Sequence, residues 1–324
     1  MRYRKLGPTE SEISELGFGA WGIGGKQWQG GKDDESIKAL KRSFELGVNF
    51  VDTALAYGDG HSEQLVGQGV RNSFRRVYVA TKIPPKNGIW PASSSTNIEE
   101  VFPYDHIVQC TEQSLKNLGI EQIYLQQFHV WTDAWTNTEE WRRAVEHLKR
   151  SGKVRYFGVS ISEHDPDSAL KAVKTGIFTA VQVIYNIFDQ TPERNLFPLC
   201  EKMKVGVLAR VPLDEGGLTG TITEGTEFEP GEFRESYFRG DRKRQVVEHV
   251  NALKAELGHM GLSGPLPEIA LRFCLSHRTV TTVIPGMRRV STVESSCRAA
   301  GAGSLDAKTI GVLRRHAWDR NFYQ

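Results

Sequence analysis

Residues 180–184 read Ala180-Val181-Gln182-Val183-Ile184, an almost unbroken apolar run with one polar residue inside it. A strand with one wet face alternates apolar and polar positions, so this run belongs to a strand covered on both sides, as in a parallel sheet flanked by helices. Seven further runs of this kind stand at Leu16 to Gly19, Val48 to Asp52, Val77 to Thr81, Ile123 to His129, Val154 to Ser160, Gly206 to Ala209 and Thr281 to Ile284. Between them lie helical patterns at Asp33 to Leu46, Tyr104 to Leu118, Thr138 to Ser151, Pro166 to Lys174, Asp241 to Leu257 and Pro265 to Ser276. Gly47, Gly119, Gly152 and Gly176 each stand where a helix should stop. Eight strand-then-helix units obey the right-handed crossover rule most simply by closing into an α/β (β/α)8 TIM barrel, since an open sheet leaves two edges to protect. Residues from about Leu305 to Trp318 read as an extra C-terminal helix.

The chain has 324 residues, 39% of them hydrophobic, enough for a sizeable core without staples. No internal repeat, low-complexity tract or charge block divides it, so residues 1–324 are expected to form one domain. Lys plus Arg exceed Asp plus Glu by 41 to 39, and the signs are interspersed, which leaves no footprint for nucleic acid or an anionic membrane. Cys110, Cys200, Cys274 and Cys297 are too few and too scattered for a disulfide framework or a metal motif. With no signal peptide or spanning segment legible, the expectation is a soluble cytoplasmic protein whose partner is small. Two connections are long, Ile83 to Pro103 and Pro212 to Gly240. Both follow predicted strands, on the side of a barrel where long loops are functional.

Gly17-Phe18-Gly19-Ala20-Trp21-Gly22 fits the dinucleotide fingerprint G-x-G-x-x-G, but that motif must open a helix. Gly22-Ile23-Gly24-Gly25 follows instead and cannot nucleate one, so the segment reads as a strand ending in a glycine-rich loop. Asp52, Lys82 and His129 fall at the C-terminal ends of the second, third and fourth predicted strands, and Tyr57 lies five residues into a loop. Singly, each has a dull explanation as a turn cap, a solvated cation, a core histidine or a packed ring. A barrel places all four on one rim. A phenol with its ordinary pKa of about 10 donates a proton near neutrality when a cation stabilises the phenolate. Lys82 is expected to supply that charge, Asp52 to hold the ammonium, and His129 to orient a carbonyl oxygen.

At these residues the chain resembles the aldo-keto reductase superfamily. The likeness rests on Phe50-Val51-Asp52-Thr53-Ala54 with Tyr57-Gly58 and Ser62-Glu63, on Ala80-Thr81-Lys82, on Leu115-Lys116-Asn117-Leu118-Gly119 with Leu125-Gln126-Gln127-Phe128-His129, and on Gly152-Lys153-Val154-Arg155-Tyr156-Phe157-Gly158-Val159-Ser160. It implies reduction of aldehydes or ketones by NADPH, with NADP+ as the spent form, hydride leaving nicotinamide C4 and the proton coming from Tyr57. It also implies that Gly19, Ala20, Trp21 and Asp52 face the cofactor and that Ser160 and Gln182 hold its carboxamide. Pro212 and Leu213 follow the seventh strand in the cofactor wall, and Ile284 and Gly286 lie in the segment for pyrophosphate and adenosine. Arg288 is the candidate for the 2′-phosphate, since guanidinium matches phosphate geometry; Arg288 and Arg289 read equally as a solvated pair.

Three departures from the family pattern stand out. Ile161 occupies the position of a usual Asn, with Ser162 as a substitute for the lost carboxamide contact. Arg210 replaces the aromatic residue that stacks under nicotinamide, and a guanidinium can itself lie on a ring. Thr292 and Ser295-Ser296 replace longer polar residues toward the adenine end, which implies looser cofactor binding. Of seven tryptophans, Trp21, Trp28, Trp90, Trp131 and Trp135 follow predicted strands on the presumed active rim, and Trp90 and Trp131 are candidates for substrate contact. A regulatory barrel that senses redox state through a nicotinamide cofactor, as the family's potassium-channel β-subunits suggest, is the alternative function. A metal-assisted hydrolase using Asp52 and His129 has no clustered ligands behind it, and no metal is expected.

Overall fold

In the computed structural model, residues 1–161, 163–262 and 264–323 are described. Two three-residue strands, β1 (Tyr3–Lys5) and β2 (Glu12–Ser14), pair antiparallel at the start of the chain. Eight strands then follow: β3 (Phe18–Gly19), β4 (Phe50–Asp52), β5 (Tyr78–Ile83), β6 (Ile123–Phe128), β7 (Val154–Ser160), β8 (Phe178–Ile184), β9 (Gly206–Arg210) and β10 (Val280–Val283). They form one sheet in sequential order, every neighbouring pair parallel. The outer strands meet through bridges between Leu16 and Val283 and between Gly19 and Gly286. There Gly17 N donates to Val283 O at 2.8 Å and Val283 N to Glu15 O at 2.9 Å, so the sheet closes on itself. A Cβ on Gly19 would lie 2.5 Å from the Ile284 carbonyl oxygen, so this glycine is required by closure of the sheet.

Helices lie between the strands because their apolar residues fall on one face. In Tyr104–Leu118 the buried positions Ile107, Cys110, Thr111, Ser114 and Leu118 follow the three-and-four spacing of a single stripe. Gly119 then turns the chain out at φ 62°. Glu139–Arg150 buries Trp141, Ala144, Val145 and Leu148, with acids in its first turn and bases in its last, matching the helix dipole. The expected helix from Pro166 to Lys174 is instead a 3-10 turn, Pro166–Ala169, followed by Leu170–Lys174. Its cause is Asp133, whose carboxylate accepts from Lys171 N at 2.7 Å and Ala172 N at 3.0 Å and so sets a new N-terminus. Beyond β10 come Val290–Gly301 and Ala307–Arg314, the latter capped by Asp306, which accepts from Thr309 N at 2.8 Å.

Side chains alternate along each strand, and those facing inward build a graded interior. At the N-terminal end Phe50, Ala80, Leu125, Ala180 and Leu208 pack with Leu6 and Ile13 of the opening hairpin, which plugs that mouth. Two positions further along the same strands stand Asp52, Lys82, Gln127, Gln182 and Arg210. The sheet interior therefore changes from apolar floor to polar site within one repeat of the pleat.

Candidate active site

Asp52 ends β4 and Lys82 lies near the end of β5, and both are buried. Lys82 Nζ donates to Asp52 Oδ2 at 2.5 Å, to the Thr53 carbonyl at 2.9 Å and to Tyr57 Oη at 3.2 Å. Three acceptors use the three ammonium protons. The loop bearing Tyr57 is pinned by Ser62 Oγ, which donates to the Ala20 carbonyl at 2.7 Å, and by Thr53 Oγ1 at 2.8 Å from Ser62 Oγ. Gly58 follows at φ 65°, where a Cβ would strike the Gly24 carbonyl at 1.9 Å, so at this point the backbones of the two loops pack directly against each other. His129 follows β6 and packs edge-on against Tyr57 and Trp90, with ring centres 5.6 and 4.5 Å away.

Burial pushes the Tyr57 phenol up, Lys82 pulls it back part of the way and Asp52 adds to the rise, so it keeps its proton above the ordinary phenol value. Lys82 thus acts on the phenol in the expected direction, but burial outweighs it and the phenol stays above its ordinary value. Burial works against the Lys82 charge, but Asp52 and Tyr57 outweigh it and hold the ammonium above its usual value. Burial keeps His129 well below the ordinary imidazole value, with Lys82 and Arg210 adding to the effect. Its ring is therefore neutral near pH 7, with Nδ1 buried and unpartnered among the described residues.

These groups open into a cavity of about 740 Å³ at the C-terminal end of the sheet. Of the residues singled out in the sequence, Gly19, Ala20, Trp21, Asp52, Tyr57, Trp90, His129, Ser160, Gln182, Arg210, Pro212, Leu213, Ile284, Gly286 and Arg288 line it. Lys82 stands behind Asp52 and Tyr57, out of the lining. Trp131 is not there either. It is fully buried under the sheet against Phe128, Trp135, Trp141 and Phe178, which corrects its candidacy for substrate contact. Loop tryptophans thus serve the core here as well as the rim. Trp90 is 43% exposed at the cavity mouth.

Arg210 lines the cavity with its guanidinium anchored on residues that follow β7. Nη2 donates to the Ile161 carbonyl at 3.1 Å and meets Glu163 Oε1 at 3.4 Å, so its charge is balanced. Ile161 is buried and offers the cavity no side-chain amide. Ser162 lies outside the described residues. Arg288 Nη1 donates to the Gln29 carbonyl at 2.9 Å, and its guanidinium lies 5.6 Å from the centre of the Trp28 ring. Sequence reasoning missed Glu163, Glu215, Phe233, Arg234 and Tyr323, all of which line the same cavity. Glu163 stands far from Arg210 in sequence and no spacing links them, and Tyr323 lies beyond the last helix.

The donor set suits a nicotinamide dinucleotide. Ser160 and Gln182 are neighbours across β7 and β8 and offer amide and hydroxyl groups deep in the cavity. Arg288, Arg289 and Thr292 add cationic and polar groups to its lining, and Gly286 has open space around it. Among the described residues no three His, Cys, Asp or Glu side chains gather as a metal ion would need, and no helix is long and apolar enough to cross a membrane.

Similarity to known proteins agrees with this geometry. Aldo-keto reductase YhdN of Bacillus subtilis (strain 168) is 30% identical over 97% of this chain and 93% of its own length. The NADH-specific methylglyoxal reductase of Escherichia coli (strain K12) is 27% identical over 95% of this chain and 96% of its own. Among solved structures, the holo form of aldo-keto reductase AKR11C1 from Bacillus halodurans superposes with a TM-score of 0.77 at 26% identity, covering 98% of this chain and 96% of that one. The model of the Aldo/keto reductase family matches residues 15–317, and with the parallel sheet and the site at its C-terminal end this places the chain in the aldo/keto reductase family of oxidoreductases.

Proposed function

We propose that residues 1–324 act as one barrel unit that reduces aldehydes or ketones with NADPH, and oxidises the alcohol when cofactor ratios permit. The observation that carries this reading is the use of the Lys82 protons. One of them goes to a lone pair of Tyr57 Oη, which leaves the phenol's own proton for an acceptor in the cavity that Tyr57 lines. A carbonyl oxygen placed there takes that proton as negative charge develops on it, and Lys82 stabilises the phenolate left behind. His129, neutral and rigidly packed, orients the same oxygen. Asp52 keeps the ammonium in place. When bound, the dinucleotide supplies hydride at nicotinamide C4. Ser160 and Gln182 would hold its carboxamide, Gly19, Ala20, Trp21, Pro212 and Leu213 would wall it, Ile284 and Gly286 would lie on the pyrophosphate side, and Arg288 would meet the 2′-phosphate.

The NADH specificity of the relative from Escherichia coli belongs to that protein; the guanidinium groups of Arg288 and Arg289 in this cavity favour NADPH here. Trp90, half-exposed beside His129, is the residue through which a substrate side chain meets the site. Cysteines without disulfides fit a reducing cytoplasm. The test is a panel of carbonyl compounds followed by NADPH absorbance with the wild type and Tyr57→Phe. The variant should lose roughly 10²- to 10⁴-fold in kcat while its NADPH affinity stays near the wild-type value. Wild-type turnover in the variant would remove Tyr57 from the reaction. Retained cofactor with negligible turnover on every carbonyl would favour the regulatory barrel.

A further inference from the structure

Gln127 lies on β6 beside Lys82 of β5, wholly buried and out of the cavity lining. No step of the chemistry above uses it. Its amide nevertheless joins two groups that do face the cavity. Gln127 Nε2 donates to Asp52 Oδ1 at 3.0 Å. Gln182 Nε2 donates to that same oxygen at 2.7 Å and to Gln127 Oε1 at 3.3 Å. Asp52, paired with the Lys82 ammonium, is an acceptor only, so both glutamines must turn their NH2 groups toward it. The two protons of Gln182 Nε2 are then both engaged, one by Asp52 and one by Gln127. The carbonyl oxygen is the end of the Gln182 amide left for a ligand. Terminal amide torsions have broad, two-fold preferences, so a single tether would leave this amide free to rock; Gln127 is the second tether.

We propose that Gln127 is a positioning residue that locks the Gln182 amide with its carbonyl oxygen presented to the cavity, where it accepts an N–H from the carboxamide of a bound nicotinamide. The inference rests on the reading of the cavity as a nicotinamide dinucleotide site. It assigns Gln127 a part in recognising one end of the ligand only. A role confined to satisfying Asp52 would alter the whole site or the fold without regard to which end is bound.

The experiment is a binding titration of two ligands, NADPH and 2′-phospho-ADP-ribose, which keeps the adenosine and pyrophosphate groups and lacks the carboxamide. Gln127→Met preserves length and burial and removes both hydrogen bonds. It should raise the Kd for NADPH roughly fivefold to tenfold, the scale of one buried hydrogen bond, and leave the fragment within about twofold. In a Gln182→Met background the same change should add almost nothing, because a residue acting through Gln182 has no path left. Gln127→Glu supplies an arm that holds even if the first variant folds poorly. Beside Asp52 its carboxyl should stay protonated at low pH, donate to Asp52 and accept from Gln182, and so bind NADPH nearly as the wild type does. Affinity should fall as pH rises and that carboxyl ionises. Equal losses for NADPH and the fragment, full additivity with Gln182→Met, or a pH-independent Gln127→Glu would overturn the proposal. Wild-type protein that binds neither NADPH nor NADH would overturn the reading of the cavity as well, whereas tight wild-type binding with Gln127→Met unchanged overturns the role of Gln127 alone.

Discussion

At Lys82 one ammonium serves Asp52 Oδ2, the Thr53 carbonyl and Tyr57 Oη from a wholly buried position. Its removal therefore acts on the phenol and on the carboxylate together. The ammonium that donates to the phenol and opposes its upward shift would be gone in Lys82→Met, and Tyr57 would hold its proton more tightly still. Carbonyl reduction should slow, and the pH limb that reports phenolate formation in alcohol oxidation should move to higher pH. Asp52 would also be left buried without its counter-charge, at a cost of about 3–5 kcal/mol in unfolding free energy. Steady-state pH profiles and denaturant unfolding read the two effects separately. An unmoved pH limb in a folded variant would mean that another group activates Tyr57.

The eight strands and the four glycine stops were legible because each is a local pattern. Gly47, Gly119, Gly152 and Gly176 all have positive φ, as a helix C-terminus needs. Asp52, Lys82 and His129 could be placed on one rim for the same reason, since strand ends follow from strand runs. The β1–β2 hairpin escaped notice because three-residue strands carry no periodicity, although it seals the floor with Leu6 and Ile13. Pairings such as Arg210 with Glu163 depend on how distant loops fold back, and composition holds no trace of them. The loop after β9 shows a further feature hidden from pattern reading. Val211, Asp214 and Glu215 all adopt left-handed backbone, at φ 55°, 53° and 51°. For a β-branched residue this costs on the order of 1–3 kcal/mol, and the Val211 carbonyl is held there by Asn186 Nδ2 at 3.0 Å. Val211→Gly relieves the strain while freeing the unfolded chain, so unfolding free energy should stay within about 1 kcal/mol of wild type. An ordinary half-buried valine would lose more. A drop above about 2 kcal/mol would show that the Val211 side chain, not its backbone, is what the loop requires.

Across the whole molecule the C-terminal tail returns to the cavity and ties the loop after β9 to the body. Trp318 stacks on His249 with ring centres 3.8 Å apart, and Arg320 forms a buried ion pair with Asp214. Tyr323 lines the cavity and donates its hydroxyl to Glu215 Oε1 at 2.6 Å. Burial raises the Glu215 carboxyl from 4.5 to about 7, and its bond from Tyr323 and the charge of Arg210 only partly offset the rise. Between those two pH values the folded chain keeps a proton that the unfolded chain releases. The stability this group contributes is full below about pH 4.5 and is lost as pH rises through about 7, a fall of about 3 kcal/mol. Glu215→Gln retains a carbonyl acceptor for Tyr323 and cannot ionise. Urea unfolding at about pH 5 and about pH 8 should therefore show wild type losing stability relative to the variant as pH rises, because every other titrating group is common to both. A pH-independent difference between them would mean that Glu215 is already ionised in the folded chain and that Arg210 and Tyr323, rather than a retained proton, offset the cost of burying it.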